Sequence, residues 1–177
     1  MIAMSLRNKL WGPFQSERVW YQYVEKGAQT IHSGNPNVLV LISSLNYDLD
    51  FQGLRNRSLN LNIGNKIVSE THRYSFLEER GPWWENINWN DVCANITLEL
   101  DEVGFLTKGK NPAPLFVTEF GVDQMGENPS DNKFLPCFMA YLAHHGLDWA
   151  LWALQASYYL RDGHQDHDET YGMFNSN

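Results

Sequence analysis

The sequence predicts an α/β fold built on a parallel sheet, and three observations lead there. Short apolar runs recur along the chain, each bounded by Gly, Pro or Asn. Segments of helical periodicity lie between them, and the runs are continuously apolar rather than alternating, as in strands buried on both faces. With 43% apolar and 19% charged residues among 177, the chain can bury a core and carries no signature of disorder, collagen or coiled coil. No repeat, low-complexity tract or linker interrupts it, so residues 1–177 are expected to form one unit.

The elements follow in order. Residues 2–6 are the first candidate strand. Across 16–33, Val19, Tyr23, Gly27 and Ile31 recur at helical spacing, and Asn35-Pro36-Asn37 stops the helix. Strands are predicted at 38–42 and 66–69. A second helix starts near Asn90 or Asp91, whose side chains can accept from its free amides, and it carries Val92, Ile96, Leu100 and Val103 on one face before Gly104. A strand at 114–118 precedes a helix at 132–146 that turns Leu135, Met139, Leu142 and Ala143 inward, and a last strand lies within 147–153. Residues 161–177 read as a long acidic loop.

Charge and composition narrow the function. Thirteen Lys and Arg against 21 Asp and Glu give a net charge of −8, whose field repels nucleic acid and anionic membrane surfaces. No apolar stretch approaches the ~20 residues that span a bilayer, and Met1-Ile2-Ala3-Met4-Ser5-Leu6 is too short for a signal-peptide core. Cys93 and Cys137 allow one disulfide and cannot alone form a four-thiolate zinc site. Asn56-Arg57-Ser58 and Asn95-Ile96-Thr97 are sequons, open to N-glycans on a secretory route. Seven Trp and eight Tyr suit surfaces that stack on sugars or other weakly polar ligands.

In parallel α/β sheets ligands bind beyond the carboxyl ends of the strands, and here those positions are polar and ionisable. Arg7, Asn8 and Lys9 follow the first run; Ser43, Ser44, Asn46 and Tyr47 the second; Glu70, His72 and Tyr74 the third. Leu115-Phe116-Val117-Thr118 delivers Glu119 to a strand end where Phe120-Gly121 lets the chain turn, and the last run contains Trp149 and Trp152. His72 and Tyr74, two apart, could orient a carboxylate from a neighbouring strand, and Trp152 could lie under a sugar ring. Each residue alone also has a plain structural reading, as salt bridge or core packing. His164-Gln165-Asp166-His167-Asp168 has metal-ligand chemistry at a spacing that fits no ordered helix face, so it reads as solvated loop and no metal or organic cofactor is implied.

Joint order is more specific than any one residue. Arg7-Asn8, His72-x-Tyr74, Thr118-Glu119-Phe120-Gly121 and Trp152 follow the order of site residues on strands four, six, seven and eight of the glycoside hydrolase family 5 barrel. The chain resembles a plant-type member of that cellulase-like family. The resemblance extends to Ser5-Leu6-Arg7-Asn8, Gly12-Pro13, Asn35-Pro36-Asn37-Val38-Leu39-Val40, Leu45-Asn46-Tyr47-Asp48, Leu147-Asp148-Trp149-Ala150-Leu151-Trp152 and Ser157-Tyr158-Tyr159-Leu160, nearly the whole chain.

The resemblance implies the C-terminal portion of a (β/α)₈ TIM barrel, with about five parallel strands alternating with helices. The chain starts at what corresponds to strand four, so strands one to three are expected to be absent, in keeping with 177 residues against roughly 250 for a complete barrel. It further implies retaining hydrolysis of O-glycosidic bonds in a β-linked polysaccharide, a glucan or mannan. Two carboxyl groups only ~5 Å apart serve as nucleophile and as acid then base. Glu119 matches the nucleophile; Asn8 matches the residue that binds the 2-hydroxyl; His72 and Tyr74 match the residues that hold the nucleophile; Trp152 matches the subsite floor. A helix-to-helix disulfide between Cys93 and Cys137 and an extracellular or cell-wall setting are also implied.

At one position the pattern breaks. Where the family carries its acid/base Glu, this chain has Lys9. An ammonium with reference pKa near ~10.4 is a poor donor to a glycosidic oxygen, and a charge ~5 Å from Glu119 would attract it by about 3 kcal/mol. Impaired catalysis is therefore expected, with a non-catalytic carbohydrate-binding remnant or an interaction-only fragment as the alternatives. Open strand edges predict aggregation, a partner, or reassembly with another half.

Overall fold

A computed structural model describes residues 1–77, 81–108 and 111–174. Strand β1 (Ala3–Ser5) leads through Ser16, whose side chain accepts from the Val19 amide, into helix α1 (Glu17–Gly34). Strand β2 (Leu39–Ile42) is followed by two short segments, α2 (Leu45–Asp48) and α3 (Gly53–Asn56), and then by strand β3 (Ile67–Arg73). Helices α4 (Gly81–Asn86) and α5 (Trp89–Val103) and a 3₁₀ turn (Gly104–Thr107) precede strand β4 (Leu115–Phe120). Helix α6 (Pro129–His145) leads to β5 (Asp148–Leu151), and β6 (Ser157–Arg161) pairs with β7 (His164–Asp168) in a separate antiparallel ribbon.

The first five strands form one sheet in the order β1-β2-β3-β4-β5. Ala3 is in parallel register with Leu39 and Val40 with Ile67. Strands that stay in sequence order, each followed by a helical crossover, belong to a (β/α) barrel; a doubly wound sheet would reverse order at a switch point. The fold is that of part of a (β/α)₈ barrel. By density of contacts the chain divides into two units, Met1–His72 with Glu99–Val117, and Arg73–Leu98 with Thr118–Asn177.

In the first unit Val40, Ile42, Ala28, Leu100, Val103 and Val117 are buried, and the Trp20 indole donates to the Ser43 carbonyl at 2.9 Å. The buried face of α1 is Trp20, Tyr21, Val24 and Ala28, one residue on from the predicted stripe; Tyr23 is exposed. The two aromatic rings outcompete Val19 and Ile31 for the interior because they bury more apolar area. Strand β3 outlasts its apolar run, because Glu70, Thr71, His72 and Arg73 are all buried as polar residues. Hydropathy cannot register residues that enter the interior by pairing with other polar groups.

In the second unit Phe134 stacks on Phe138 at 4.8 Å and on the fully buried Trp84 at 6.1 Å, and Phe120 packs on Phe138 at 5.1 Å. Helix α6 begins earlier than its apolar pattern, at Pro129, because the Asn128 side chain accepts from the Ser130 and Asp131 amides. Its buried face is Phe134, Cys137, Phe138, Tyr141 and Leu142, whereas Ala143 is exposed. Asn88, rather than Asn90 or Asp91, accepts the Asp91 amide at the start of α5. Cys93 on α5 and Cys137 on α6 are disulfide-bonded, with Cα atoms 4.9 Å apart.

The predicted acidic loop is corrected over residues 161–168. Residues 161–168 complete the β6–β7 hairpin, with Asp162 (φ 52°) and Gly163 (φ 80°) as the left-handed pair that turns it. Asp-Gly is the dipeptide such a two-residue turn needs, and Tyr158, Tyr159 and Leu160 give the strand its propensity. His164 and His167 lie on exposed β7, and among the described residues no group of three His, Cys, Asp or Glu could hold a metal. No described helix is long and apolar enough to cross a membrane. Residues 175–177 lie outside the described part.

Replacing Cys93 and Cys137 together with Ala removes a cross-link between residues 44 apart in sequence. The expected cost is about 2–4 kcal/mol of unfolding free energy, read as a lower denaturant midpoint.

Candidate active site

In the first unit one carboxylate collects the strand ends. Asp48 is fully buried. Its Oδ1 accepts from the Ser44 amide at 2.9 Å and its Oδ2 from the Lys9 amide at 3.2 Å, and its backbone carbonyl accepts from the Thr71 hydroxyl at 2.8 Å. The His72 Nδ1 lies 3.4 Å from Oδ2. Reaching this position takes three successive left-handed residues, Asn46, Tyr47 and Asp48, and Lys9 is left-handed too (φ 44°). Such conformations outside glycine persist only where surrounding contacts over-determine them, as the Asp48 hydrogen bonds do.

Burial pushes the Asp48 carboxyl up to about 7; the Ser44 and Lys9 amides oppose the shift and the neighbouring Glu70 charge adds to it. Glu70, also buried, accepts from the Ser5 hydroxyl. Asn8 is exposed, and the exposed rings of Trp11 and Tyr47 stack in parallel at 6.1 Å.

Strand β4 alternates Leu115, Val117 and Glu119 as buried residues, and Glu119, in the second unit, stands at the strand end largely shielded from water, 8% exposed. The Tyr74 hydroxyl donates to Glu119 Oε1 at 2.7 Å. Burial, reinforced by that carboxylate, raises Tyr74 well above the usual phenol range, so it remains a donor at any working pH. Tyr74 stacks on Phe76 at 4.8 Å and meets Tyr171 edge-on at 6.0 Å. Tyr171 in turn donates to Asp131 Oδ2 at 3.3 Å; the same buried carboxylate takes the Asp123 amide at 2.8 Å and the Ser75 hydroxyl.

Gly121 is where these groups converge. A methyl group there would meet the Trp152 carbonyl at 2.7 Å, Tyr171 Cδ1 at 2.9 Å and Tyr74 Cε1 at 3.2 Å. The Trp152 amide donates to the Phe120 carbonyl at 2.7 Å, and Trp152, just past β5, is 38% exposed. Trp149 instead packs edge-on against Phe120 at 5.5 Å.

Of the residues drawn from the sequence, Lys9 and His72 therefore meet at Asp48, and Tyr74, Glu119 and Trp152 gather around Gly121. Asp48, Asp131, Glu169 and Tyr171 carry no such prominence in the sequence. Asp48 enters only within Leu45-Asn46-Tyr47-Asp48, and the others sit in helix-start or loop-like stretches where an acid or a phenol is unremarkable.

Comparison with known proteins identifies the family. The sequence profile "Cellulase (glycosyl hydrolase family 5)" matches residues 5–157. The chain belongs to glycosyl hydrolase family 5. A family 5 protein from Chamaecyparis obtusa is 45% identical over 99% of this chain, which covers 32% of that protein. A Paenibacillus polymyxa endoglucanase is 23% identical over 81% of this chain and 38% of its own length. The catalytic domain of the major endoglucanase of Xanthomonas campestris superposes with a TM-score of 0.70 at 16% identity, covering 99% of this chain and 51% of that one. A Saccharophagus degradans β-glucanase superposes at 0.67 and 17% identity, over 87% of this chain and 45% of that one. The chain thus spans about a third of the curated family 5 relatives it matches and about half of the solved domains.

Asp48 gives the family 5 chain a signed pH dependence. Between the ordinary carboxyl value near ~4 and about 7, the folded state holds a proton that the unfolded state has released, so stability is lost as pH rises through that window. The loss is at most about 4 kcal/mol, for a span of roughly three pH units at ~1.4 kcal/mol each. Thermal midpoints are expected to fall from about pH 5 to about pH 8, and Asp48→Asn is expected to flatten that fall.

Proposed function

We propose that this chain carries the nucleophile side of a retaining glycosidase acting on a β-linked polysaccharide, with Glu119 as the nucleophile. The observation that carries the reading is the Glu119 carboxylate at the end of β4, buried and held by a phenol that stays protonated. A carboxylate oriented by a neutral donor at the end of a strand is placed as a nucleophile requires.

In the first step a Glu119 oxygen bonds to the anomeric carbon as the glycosidic C–O bond breaks, and the electron pair leaves on the departing oxygen, which takes up a proton. In the second, water attacks the same carbon, the glycosyl–Glu119 bond breaks, and the proton of water passes to a base. Asn8 is assigned to the 2-hydroxyl, His72 and Tyr74 to holding Glu119, and Trp152 to the sugar face. Lys9 stands at the acid/base position, and its ammonium is a poor donor for a leaving alkoxide near neutral pH.

A β-glucan is the favoured substrate class, because three of the four proteins named above are endoglucanases or a β-glucanase, and that β-glucanase has also been solved with cellotetraose. The exposed Trp152 and the stacked Trp11–Tyr47 pair suit such a chain of flat sugar faces. The Cys93–Cys137 bond suits the extracellular or cell-wall setting we assign. Lys9 favours a second reading, a glycan-binding remnant that has lost turnover.

A 2-deoxy-2-fluoro glycosyl donor with a dinitrophenolate or fluoride leaving group needs no acid catalyst, so it tests the nucleophile alone. Intact mass and peptide mapping are expected to find the label on Glu119, with none in Glu119→Gln. Tyr74→Phe is expected to slow labelling by about 10–100-fold, the worth of a hydrogen bond to a charged group. Lys9→Glu is expected to raise turnover of unactivated glucan by roughly 10²-fold or more, the scale of general acid catalysis. Binding of cello-oligosaccharide with no label from gluco or manno reagents would leave only the binding remnant.

A further inference from the structure

We infer that Asp131 is a positioning residue for the nucleophile: bound by the Ser75 and Tyr171 hydroxyls, its buried carboxylate holds the Tyr74 phenol in the direction in which it donates to Glu119. The inference rests on the reading of Glu119 as nucleophile and names the residue that sets the hydrogen bond on it.

Asp131 is 1% exposed, so it can act on a glycan only through other residues. Its backbone is fixed first, because the Asp131 amide donates to the Asn128 side chain at 3.2 Å at the start of α6. Its two oxygens then gather three segments. Oδ1 accepts from the hydroxyl of Ser75, the residue after Tyr74; Oδ2 accepts from the Asp123 amide at 2.8 Å, in the loop after Glu119, and from the Tyr171 hydroxyl at 3.3 Å. An ionised carboxylate offers only acceptors, which suits three donors. An asparagine keeps one accepting oxygen and puts a donor in place of the other, so at least one of the three bonds is lost or reversed.

Tyr74 is held from two directions. The bond from Ser75 to Asp131 anchors the backbone that carries the phenol. The Tyr171 ring meets the Tyr74 ring edge-on at 6.0 Å, and both rings close on Gly121, where a methyl group would stand 2.9 Å from Tyr171 Cδ1 and 3.2 Å from Tyr74 Cε1. With Phe76 also stacked on Tyr74 at 4.8 Å, the phenol has little room to turn.

Tyr171 is itself tied at both ends. Burial, with the Asp131 carboxylate beside it, raises its phenol above the usual range, so it remains a donor. Its amide donates to Glu169 Oε1 at 3.1 Å, while Glu169 Oε2 takes the Tyr158 hydroxyl and pairs with the Arg161 guanidinium at 3.4 Å. The β6–β7 hairpin thus fixes the backbone of Tyr171, and Asp131 fixes its hydroxyl. A misplacement of about 1 Å can cost about 10²-fold in rate, so a residue that sets where the Tyr74 bond points acts on the reaction without touching the substrate.

The whole chain is the test object, with two readouts. Tyrosine labelled with ¹³C at Cζ reports the surroundings of each phenol, and the Tyr74 signal is assigned by its loss in Tyr74→Phe. Asp131→Asn and Tyr171→Phe are each expected to move that signal. Labelling of Glu119 by the 2-deoxy-2-fluoro donor is expected to slow about 10-fold in Asp131→Asn and about 5-fold in Tyr171→Phe, the scale of one or two hydrogen bonds. Tyr171→Phe keeps its ring in place and carries the test where Asp131→Asn does not fold. In a Tyr74→Phe background either change is expected to cost less than about 2-fold, because its effect passes through the phenol. Cys93→Ala with Cys137→Ala lowers stability without touching these contacts, so labelling within about 2-fold of the parent is expected. An unmoved Tyr74 signal, a full loss from either change in the Tyr74→Phe background, or an equal loss on removal of the disulfide overturns the inference. No labelling in the parent chain counts against Glu119 as nucleophile instead, and the Tyr74 signal then decides whether Asp131 orients the phenol.

Discussion

The polar interior of this chain depends on how buried carboxylates are supplied with hydrogen-bond donors. Asp48, Glu70, Glu119 and Asp131 are all buried. An isolated buried charge is costly enough that such groups either protonate or collect donors. Here the donors are hydroxyls and amides: Ser44 and Lys9 amides on Asp48, the Ser5 hydroxyl on Glu70, the Tyr74 phenol on Glu119, the Ser75 hydroxyl and Asp123 amide on Asp131. Neutral donors have to be brought close, and that requirement explains features that are otherwise costly, among them the left-handed Lys9 and the run Asn46–Asp48.

The same requirement explains how much of the fold was legible in the sequence. The strands announce themselves where their burial is apolar: Val40 and Ile42, or Leu115 and Val117, are read from hydropathy alone. Strand β3 is under-read because its second half goes inside as Ser69, Glu70, Thr71, His72 and Arg73, whose burial depends on partners far away in sequence. Helix faces shift by one residue for a related reason. Periodicity finds a stripe, but which stripe wins depends on the largest rings, Trp20 and Tyr21 in α1, Phe134 and Phe138 in α6.

Within the candidate site the division is similar. Glu119 stands out because an acid at the end of an apolar run is conspicuous, whereas Asp48, Asp131 and Glu169 are conspicuous only after folding gives each several donors. The hairpin was hidden in a different way. Its charged strand β7 lacks β-formers, and the Asp162-Gly163 turn carries the signal that its flanking residues do not.

Two ways of treating a carboxylate thus sit in one sequence. Tyr74 donates to Glu119, and a phenol raised far above its usual range does not lose the proton it donates. Lys9 works in the opposite sense. Its side chain carries a full positive charge, and its field adds to that of its amide in favouring the ionised form of Asp48. A glutamate at position 9 would supply a transferable proton; a lysine supplies a fixed field. On the reading proposed above, this replacement removes proton donation to the leaving group and leaves in place the carboxylate that Tyr74 holds.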